Sequence, residues 1–329
     1  MNRLGLAASA LTGALLGLMA PTSVLADPAG PTDFRTTILS VTPEPDGVVL
    51  SVEGGDSFLR VQVEAGRTVE IPGYDGEPYL RIRDDGTVER NRRSFATYYN
   101  DDRYGLVEIP ATVDNEAEPD WETVGSNGAW AWHDHRAHWM GTEPPIGLEP
   151  GESLPEQTVP IVVDGTSVSI VVQSTLVAAP PVPPLVGVAA AAIVLALLSV
   201  LAGPATSMAT MGLMSVSALV VGVGQWASLP PETGRLVSWW LLPVTALVAV
   251  LSAALFSGRS WMLIPGATTL AATQIVLWAI ARRDGLTSSV LPTSLPASLD
   301  RGVTAAALVG SIVIGGASLV GLVRPAMRR

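Results

Sequence analysis

The 329-residue sequence contains no cysteine and no lysine. The absence of cysteine excludes disulfides, thiolate zinc sites, iron–sulfur clusters and the Cys-ligated blue-copper centre. The absence of lysine excludes Schiff-base catalysis and the lysine of a phosphate-binding P-loop. Histidine is scarce, and all 3 copies lie within residues 133–138. Chemistry that needs an imidazole must therefore use this one short segment.

Acidic residues are concentrated in one half of the chain. Residues 27–164 carry 27 acidic residues and 10 arginines, a net charge of −17, whereas the remainder carries 3 acidic residues and 9 arginines, a net charge of +6. The acidic half repels nucleic acid and anionic surfaces, so a nucleic-acid partner is not expected. It suits a metal ion or a basic protein partner, and the alternative is an acidic face that is simply solvated.

The hydrophobic pattern divides the chain into an exported domain and a membrane region. Residues 1–26 have a positive start, an apolar run and a small-residue site ending at Ala26, which indicate a cleaved signal peptide; an uncleaved first helix is the alternative. Residues 27–176 contain short β-branched runs between turn residues, which predict an all-β extracytoplasmic domain, an immunoglobulin-like sandwich or another Greek-key variant. Residues 177–184 form a proline-rich linker.

Turn residues predict two β-hairpins in this domain. One joins 79–83 to 87–89 through Asp85-Gly86, and the other joins 159–163 to 167–172 through Asp164-Gly165. The Asp-Gly pair favours the type I′ turn, whose twist matches that of the flanking strands. The long irregular stretch 92–120 contains three tyrosines, which favour an ordered loop.

Five apolar stretches follow the linker, at 185–202, 206–224, 237–256, 261–281 and 303–323. Each approaches the roughly 20 residues that span a bilayer, so residues 185–323 are predicted to form an all-α bundle of transmembrane helices in contact with membrane lipid. Five crossings after a cleaved signal leave the β domain outside the plasma membrane and the tail, 324–329, in the cytoplasm. Arg259 and Arg324 then obey the positive-inside rule, whereas Arg282 and Arg283 oppose it. The apolar interior favours an anchor over a pump.

The main candidate site is the segment Trp130-Ala131-Trp132-His133-Asp134-His135-Arg136-Ala137-His138-Trp139-Met140. On an extended strand His133 and His135 would share one face. With His138 as third imidazole and Met140 or water as fourth ligand, they predict a transition-metal site, copper before zinc because of the thioether. The groups expected to surround the ligands and orient an imidazole are Asp134, Asp120 and Trp132.

The alternative interpretation of this segment is structural. Its polar groups would then bond to the domain interior, or its Trp/His surface would dock another membrane or exported protein. A metal-dependent hydrolase is a third option, with Asp134 or Glu122 as the general base. Because no GxSxG motif accompanies the histidines, a serine hydrolase of that type is not indicated, and a non-enzymatic role is predicted.

A second hint is the run of methionines Met208, Met211 and Met214 in the second apolar stretch. Steps of three place their thioethers on one drifting helical stripe. Thioethers suit Cu(I), but ordinary packing is the commoner use of methionine in a membrane helix.

Residues 96–105, Trp121 and the segment from Trp130 to Met140 resemble a pattern in uncharacterised actinobacterial exported membrane proteins, with WHDHRxHWM as the most specific part. The resemblance covers the β domain and its pairing with a C-terminal membrane bundle, and it implies no activity. A looser resemblance to bacterial periplasmic copper-handling proteins rests on the β domain with its His, Met and Trp residues. It implies copper binding, although this chain lacks the N-terminal histidine of those proteins.

Overall fold

The computed structural model describes residues 27–256, 258 and 262–326; the predicted signal peptide and Arg259 lie outside these ranges. The N-terminal part is rich in β-strands and the C-terminal part is helical. The strands are β1 Phe34–Thr42, β2 Val48–Glu53, β3 Phe58–Val63, β4 Val69–Pro72, β5 Pro78–Ile82, β6 Val88–Asn91, β7 Trp121–Gly125, β8 Ala129–Trp132, β9 Gln157–Val163 and β10 Thr166–Leu176. A short helix, α1 Phe95–Tyr99, lies within the predicted irregular stretch.

Two antiparallel sheets build the β domain. Seven strands form one sheet in the order β1-β10-β9-β4-β5-β6-β7, and β2-β3-β8 form the other. The first and last strands are neighbours, with Phe34 opposite Leu176. Both sheets contribute to one hydrophobic core, in which Leu59 and Val61 of the small sheet are buried in the same cluster as Ile71 and Ile170 of the large sheet. A shared core of this kind excludes water from the inner faces of both sheets.

Both predicted hairpins are confirmed. Val163 pairs with Thr166 across the Asp164-Gly165 turn. The φ angles of Asp164 and Gly165 are 49° and 78°, as a type I′ turn requires. In the other hairpin β5 pairs with β6, and Gly86 has a φ of 82°. Local turn chemistry therefore sets the register of these strands.

Among the residues that the structure describes, five helices of the C-terminal region are long and apolar enough to cross a membrane. They are α2 Val182–Ala202, α3 Pro204–Ser228, α4 Ser238–Phe256, α5 Leu263–Ala281 and α6 Ala297–Ala326. The linker prediction is too long, because α2 begins at Val182 with prolines in its first turn, where a missing N–H costs no helical hydrogen bond. The helix α6 continues to Ala326, past the predicted start of the tail at 324, and residues 327–329 lie outside the described ranges.

The β domain rests on the loops that join the helices. Thr32 forms an isolated bridge with Val290 after α5. Phe58, at the start of β3, packs in one apolar cluster with Leu229 of the α3–α4 connection and Trp239 in the first turn of α4. The strand β8 pairs with β3, so the histidine segment that follows β8 begins close to this junction.

Candidate functional site

The histidine segment is a turn that follows β8 rather than part of a strand. The strand ends at Trp132. Beyond it the Asp134 carboxylate accepts a hydrogen bond from the Arg136 backbone N–H (3.1 Å), and the Asp134 carbonyl accepts one from Ala137 N–H (2.7 Å). The expectation that His133 and His135 share a strand face is therefore wrong. An aspartate that bonds the backbone two residues ahead stabilises a turn in competition with the strand.

Asp134 is buried, and its carboxylate is hydrogen-bonded to residues other than histidine. It accepts hydrogen bonds from Trp132 Nε1 (2.9 Å) and from Arg136 Nε and Nη2 (2.8 Å each). Burial favours a higher pKa for this carboxyl, but the bonds from Arg136 and Trp132 outweigh burial and lower the pKa. Asp134 and Trp132 thus brace the turn. The structure gives Asp134 an arginine partner in place of the predicted imidazole.

His133 uses both of its ring nitrogens in the domain interior. Nδ1 lies 2.6 Å from the Ser57 carbonyl oxygen and Nε2 lies 2.9 Å from the Asp27 carbonyl oxygen. The imidazole also stacks on Phe58, with ring centroids 4.1 Å apart. Burial is the largest influence and, with the nearby charge of Arg103, lowers the pKa of His133 to about 4 against the opposing effect of the two carbonyls.

His135 is held at its backbone and at one ring nitrogen. Its N–H donates to the Tyr74 hydroxyl (3.0 Å), and Nε2 lies 3.1 Å from the Asp102 carbonyl oxygen. The Tyr99 ring packs against it at 4.3 Å between centroids. Within the described part of the chain, the buried Nδ1 of His135 has no hydrogen-bond partner.

In His138, as in His135, one ring nitrogen faces a backbone carbonyl, but here it is Nδ1 rather than Nε2. Nδ1 lies 3.1 Å from the Trp139 carbonyl oxygen, while Nε2 is buried without a partner among the described residues. Burial, followed by the charge of Arg103, lowers the pKa of His138 to about 3, and burial also lowers the pKa of His135. The rings of His135 and His138 lie 5.2 Å apart between centroids. Two neutral imidazoles, each with an unused buried nitrogen, therefore lie side by side.

A pocket of about 380 Å³ opens beside these two rings. His135, His138 and Met140 line it together, and the Tyr99 hydroxyl contacts Met140 Sδ at 3.9 Å. Zinc and copper bind imidazole nitrogen at about 2 Å, and the two ring centroids that line this pocket are 5.2 Å apart. The structure thus gathers His135, His138 and Met140, and it gives His133 other partners.

The remaining predicted groups lie elsewhere. Asp120 pairs with Arg92 (2.8 Å) and Glu122 pairs with Arg90 (3.1 Å), so the structure gives both carboxylates arginine partners. Met211 is fully buried within α3, and Met214 Sδ accepts a hydrogen bond from a serine of α6 at 3.8 Å. These contacts make the methionine stripe part of the packing between helices.

Sequence reasoning missed the groups that position the histidines. Tyr74 and Tyr99 come from distant segments, and the carbonyl groups of Ser57 and Asp102 are backbone acceptors that any residue type would supply. The only available signal was the tyrosine-rich loop that contains Tyr99.

The ligand set that the described residues offer is small. Within the ranges described, no three or more His, Asp or Glu side chains are grouped so that they could hold a metal ion. A metal here would use two imidazoles together with a thioether or solvent. No family model matches the sequence, and the comparisons with curated proteins and with solved structures give no match either.

Proposed function

We propose that this chain is a membrane-anchored protein whose β domain binds a transition metal, copper before zinc, in a non-enzymatic role. The observation that carries the proposal is the pair of buried nitrogens, His135 Nδ1 and His138 Nε2, that have no partner among the described residues; their rings are 5.2 Å apart between centroids and line one pocket with Met140. Buried polar atoms normally have partners, because an unpartnered one loses its bonds to water without replacement. A bound metal would satisfy both.

The opposite nitrogens of these rings support the same proposal. Metal-ligating histidines usually donate their second N–H to a carboxylate or a backbone carbonyl, which fixes the ring orientation. His135 Nε2 faces the Asp102 carbonyl and His138 Nδ1 faces the Trp139 carbonyl. Each ring thus has the kind of backbone contact that orients a metal-ligating histidine.

Membrane anchoring is supported by the exposed faces of the five long apolar helices. Large apolar side chains that are more than half exposed occur on α2, α3 and α4, including Leu195, Leu201, Leu213, Leu251 and Leu255. Extended exposed apolar surfaces mark contact with lipid or protein. We propose that these helices cross the plasma membrane with the acidic β domain outside. That the two sheets form an immunoglobulin-like sandwich stays a prediction from the sequence.

One observation favours the structural alternative for part of the segment. Trp132, His133 and Asp134 are each about 1 % exposed, and each has its polar side-chain group bonded. These three residues pack the turn against the domain. The metal proposal therefore depends on the second half of the segment.

Metal-dependent thermal stabilisation of the full-length protein in detergent tests the proposal. A metal at 100 times its dissociation constant adds about 2.7 kcal/mol of stability, which raises Tm by about 5 to 10 °C for a domain of this size. We expect copper, and more weakly zinc, to raise Tm for the unmodified protein and for Gln157→Ala, which alters the same pocket. The substitution His135→Ala should abolish the rise. If neither metal raises Tm of the unmodified protein, the proposal fails; a lower Tm of His135→Ala without any metal effect supports the structural alternative.

A further inference from the structure

We propose that the ion held at this site is Cu(I), bound by His135 Nδ1 and His138 Nε2 with Met140 as the third donor, and that His133 is not a ligand. This inference rests on the proposed metal-binding function and specifies the oxidation state and the ligand set.

Hydrogen bonds to the backbone determine which nitrogens are free. A carbonyl oxygen can only accept, so His135 carries its proton on Nε2, facing Asp102, and His138 carries its proton on Nδ1, facing Trp139. The lone pairs therefore lie on His135 Nδ1 and His138 Nε2, which are the two buried nitrogens that lack a partner among the described residues. Each ring offers one donor atom without breaking an existing bond.

His133 offers no accessible donor atom. Its two nitrogens face the carbonyl oxygens of Ser57 at 2.6 Å and Asp27 at 2.9 Å. The neutral ring carries one N–H, so one of these contacts is a hydrogen bond, and the carbonyl at the other nitrogen shields its lone pair from a metal. Turning the ring toward a metal would break both contacts and the stacking on Phe58. With His133 excluded, the HxHxxH spacing supplies two imidazoles rather than three.

The charge around the pocket favours a monovalent ion. None of the described residues that line the pocket is an Asp or Glu, and the charge of Arg136 on its wall is balanced by its ion pair with Asp134 at 2.8 Å. A divalent ion loses a large hydration free energy when it leaves water, and a site without a carboxylate does not compensate this loss. A singly charged ion loses less hydration free energy.

The donor types select copper among monovalent ions. Imidazole and thioether are the ligands that soft Cu(I) prefers. Zinc completes a tetrahedral set of four ligands and usually includes a thiolate, a third imidazole or a carboxylate. Met140 lines the pocket with both histidines, and its sulfur contacts the Tyr99 hydroxyl at 3.9 Å. Two nitrogens and one sulfur suit the trigonal coordination of Cu(I).

Competition binding with the full-length protein in detergent tests the inference. Reduced copper would be titrated against a chromogenic Cu(I) chelator under anaerobic conditions, and Zn(II) and Cu(II) would be titrated in parallel against their own indicators. We expect Cu(I) to bind most tightly. Both His135→Ala and His138→Ala should weaken it by more than the roughly 10–100-fold that loss of an outer-shell partner causes. Met140→Leu should weaken it less, and Tyr98→Phe, which removes an exposed hydroxyl bonded to the Arg92 carbonyl outside the pocket, should leave it unchanged.

X-ray absorption at the copper edge of the unmodified protein gives a second readout. It reports the ligand set without a substitution of the buried His133, which could unfold the protein. We expect imidazole scattering from two rings and one sulfur neighbour. Three imidazoles without sulfur, or tighter binding of Zn(II) or Cu(II) than of Cu(I), would overturn the inference while leaving metal binding intact. If none of the three ions binds the well-folded protein, the proposed function and this inference fail together.

Discussion

Removing the hydroxyl of Tyr74 tests whether the histidine turn is held from outside. The Tyr74 hydroxyl accepts the His135 backbone N–H at 3.0 Å and donates to Asn100 Oδ1 at 2.5 Å. In Tyr74→Phe the ring remains, and with it the packing of the Arg136 guanidinium over the ring at 4.9 Å. The substitution therefore removes two hydrogen bonds and little else.

The expected cost follows from what each partner loses. The groups that lose a partner are the N–H of His135 and the side-chain oxygen of Asn100. A buried donor left unsatisfied costs roughly 1–3 kcal/mol. For a domain of this size the loss corresponds to a fall in Tm of about 2–12 °C. Because Tyr74 fixes the backbone of a proposed ligand, the affinity for copper should fall by roughly 10–100-fold.

Thermal unfolding monitored by tryptophan fluorescence, together with copper titration, measures both effects. Tyr98→Phe is the matched control, because the Tyr98 hydroxyl donates to the Arg92 carbonyl (3.1 Å) at an exposed position, where water can replace the bond. If Tyr74→Phe unfolds at the same temperature as Tyr98→Phe and binds copper as tightly as the unmodified protein, the positioning role assigned to Tyr74 is refuted.

Three further predictions concern pH, a buried ion pair and helix packing. The pKa of His133 is about 4 in the folded protein, against about 6.5 when the ring is exposed, so between these values the unfolded chain binds more protons. The contribution of His133 to the free energy of unfolding of the metal-free protein should be fully present above pH 6.5 and should be lost as pH drops toward 4. Melting curves at stepped pH should show a loss of up to roughly 3 kcal/mol from this group. Arg103→Ala leaves buried Asp56 without its partner at 2.6 Å and should cost roughly 3–5 kcal/mol in thermal or denaturant unfolding. Gly222→Ala places a methyl group against the Trp239 carbonyl, so detergent-solubilised protein should melt at lower temperature.

Each of these predictions has its own control or contrary result. Stability that is constant or rises between pH 6.5 and pH 4 would contradict the linkage argument for His133. Arg92→Ala breaks an exposed pair with Asp120 and should cost less than about 1 kcal/mol; an equal cost for Arg103→Ala would show that burial is not what matters. Gly316 has open space around it, so Gly316→Ala should leave Tm nearly unchanged, and the packing explanation fails if the Gly222 and Gly316 variants behave alike.

The features predictable from the sequence are those encoded by neighbouring residues. The Asp164-Gly165 pair determines its own turn, and the β9–β10 hairpin forms where the pattern predicts. The five long apolar helices likewise follow from continuous apolar runs. In both cases, the information lies within a few residues or within one segment.

The candidate site was less predictable because its geometry depends on distant backbone groups. Strand periodicity placed His133 and His135 on one face, but the Asp134 carboxylate bonds to Arg136 and ends the strand at Trp132. The carbonyl groups of Asp27 and Ser57 then occupy both nitrogens of His133. No residue type identifies a backbone acceptor, so the sequence could not show which of the histidines keep a free nitrogen.

The copper retained by a double variant shows directly whether His135 and His138 bind the metal. The unmodified full-length protein and His135→Ala/His138→Ala would be loaded with Cu(I) in detergent, desalted and analysed for metal and protein. We expect stoichiometric copper in the unmodified protein and none above background in the variant, with both proteins folded by circular dichroism. Equal copper in the two proteins, or none in either, would contradict the assignment of these two histidines as the metal ligands.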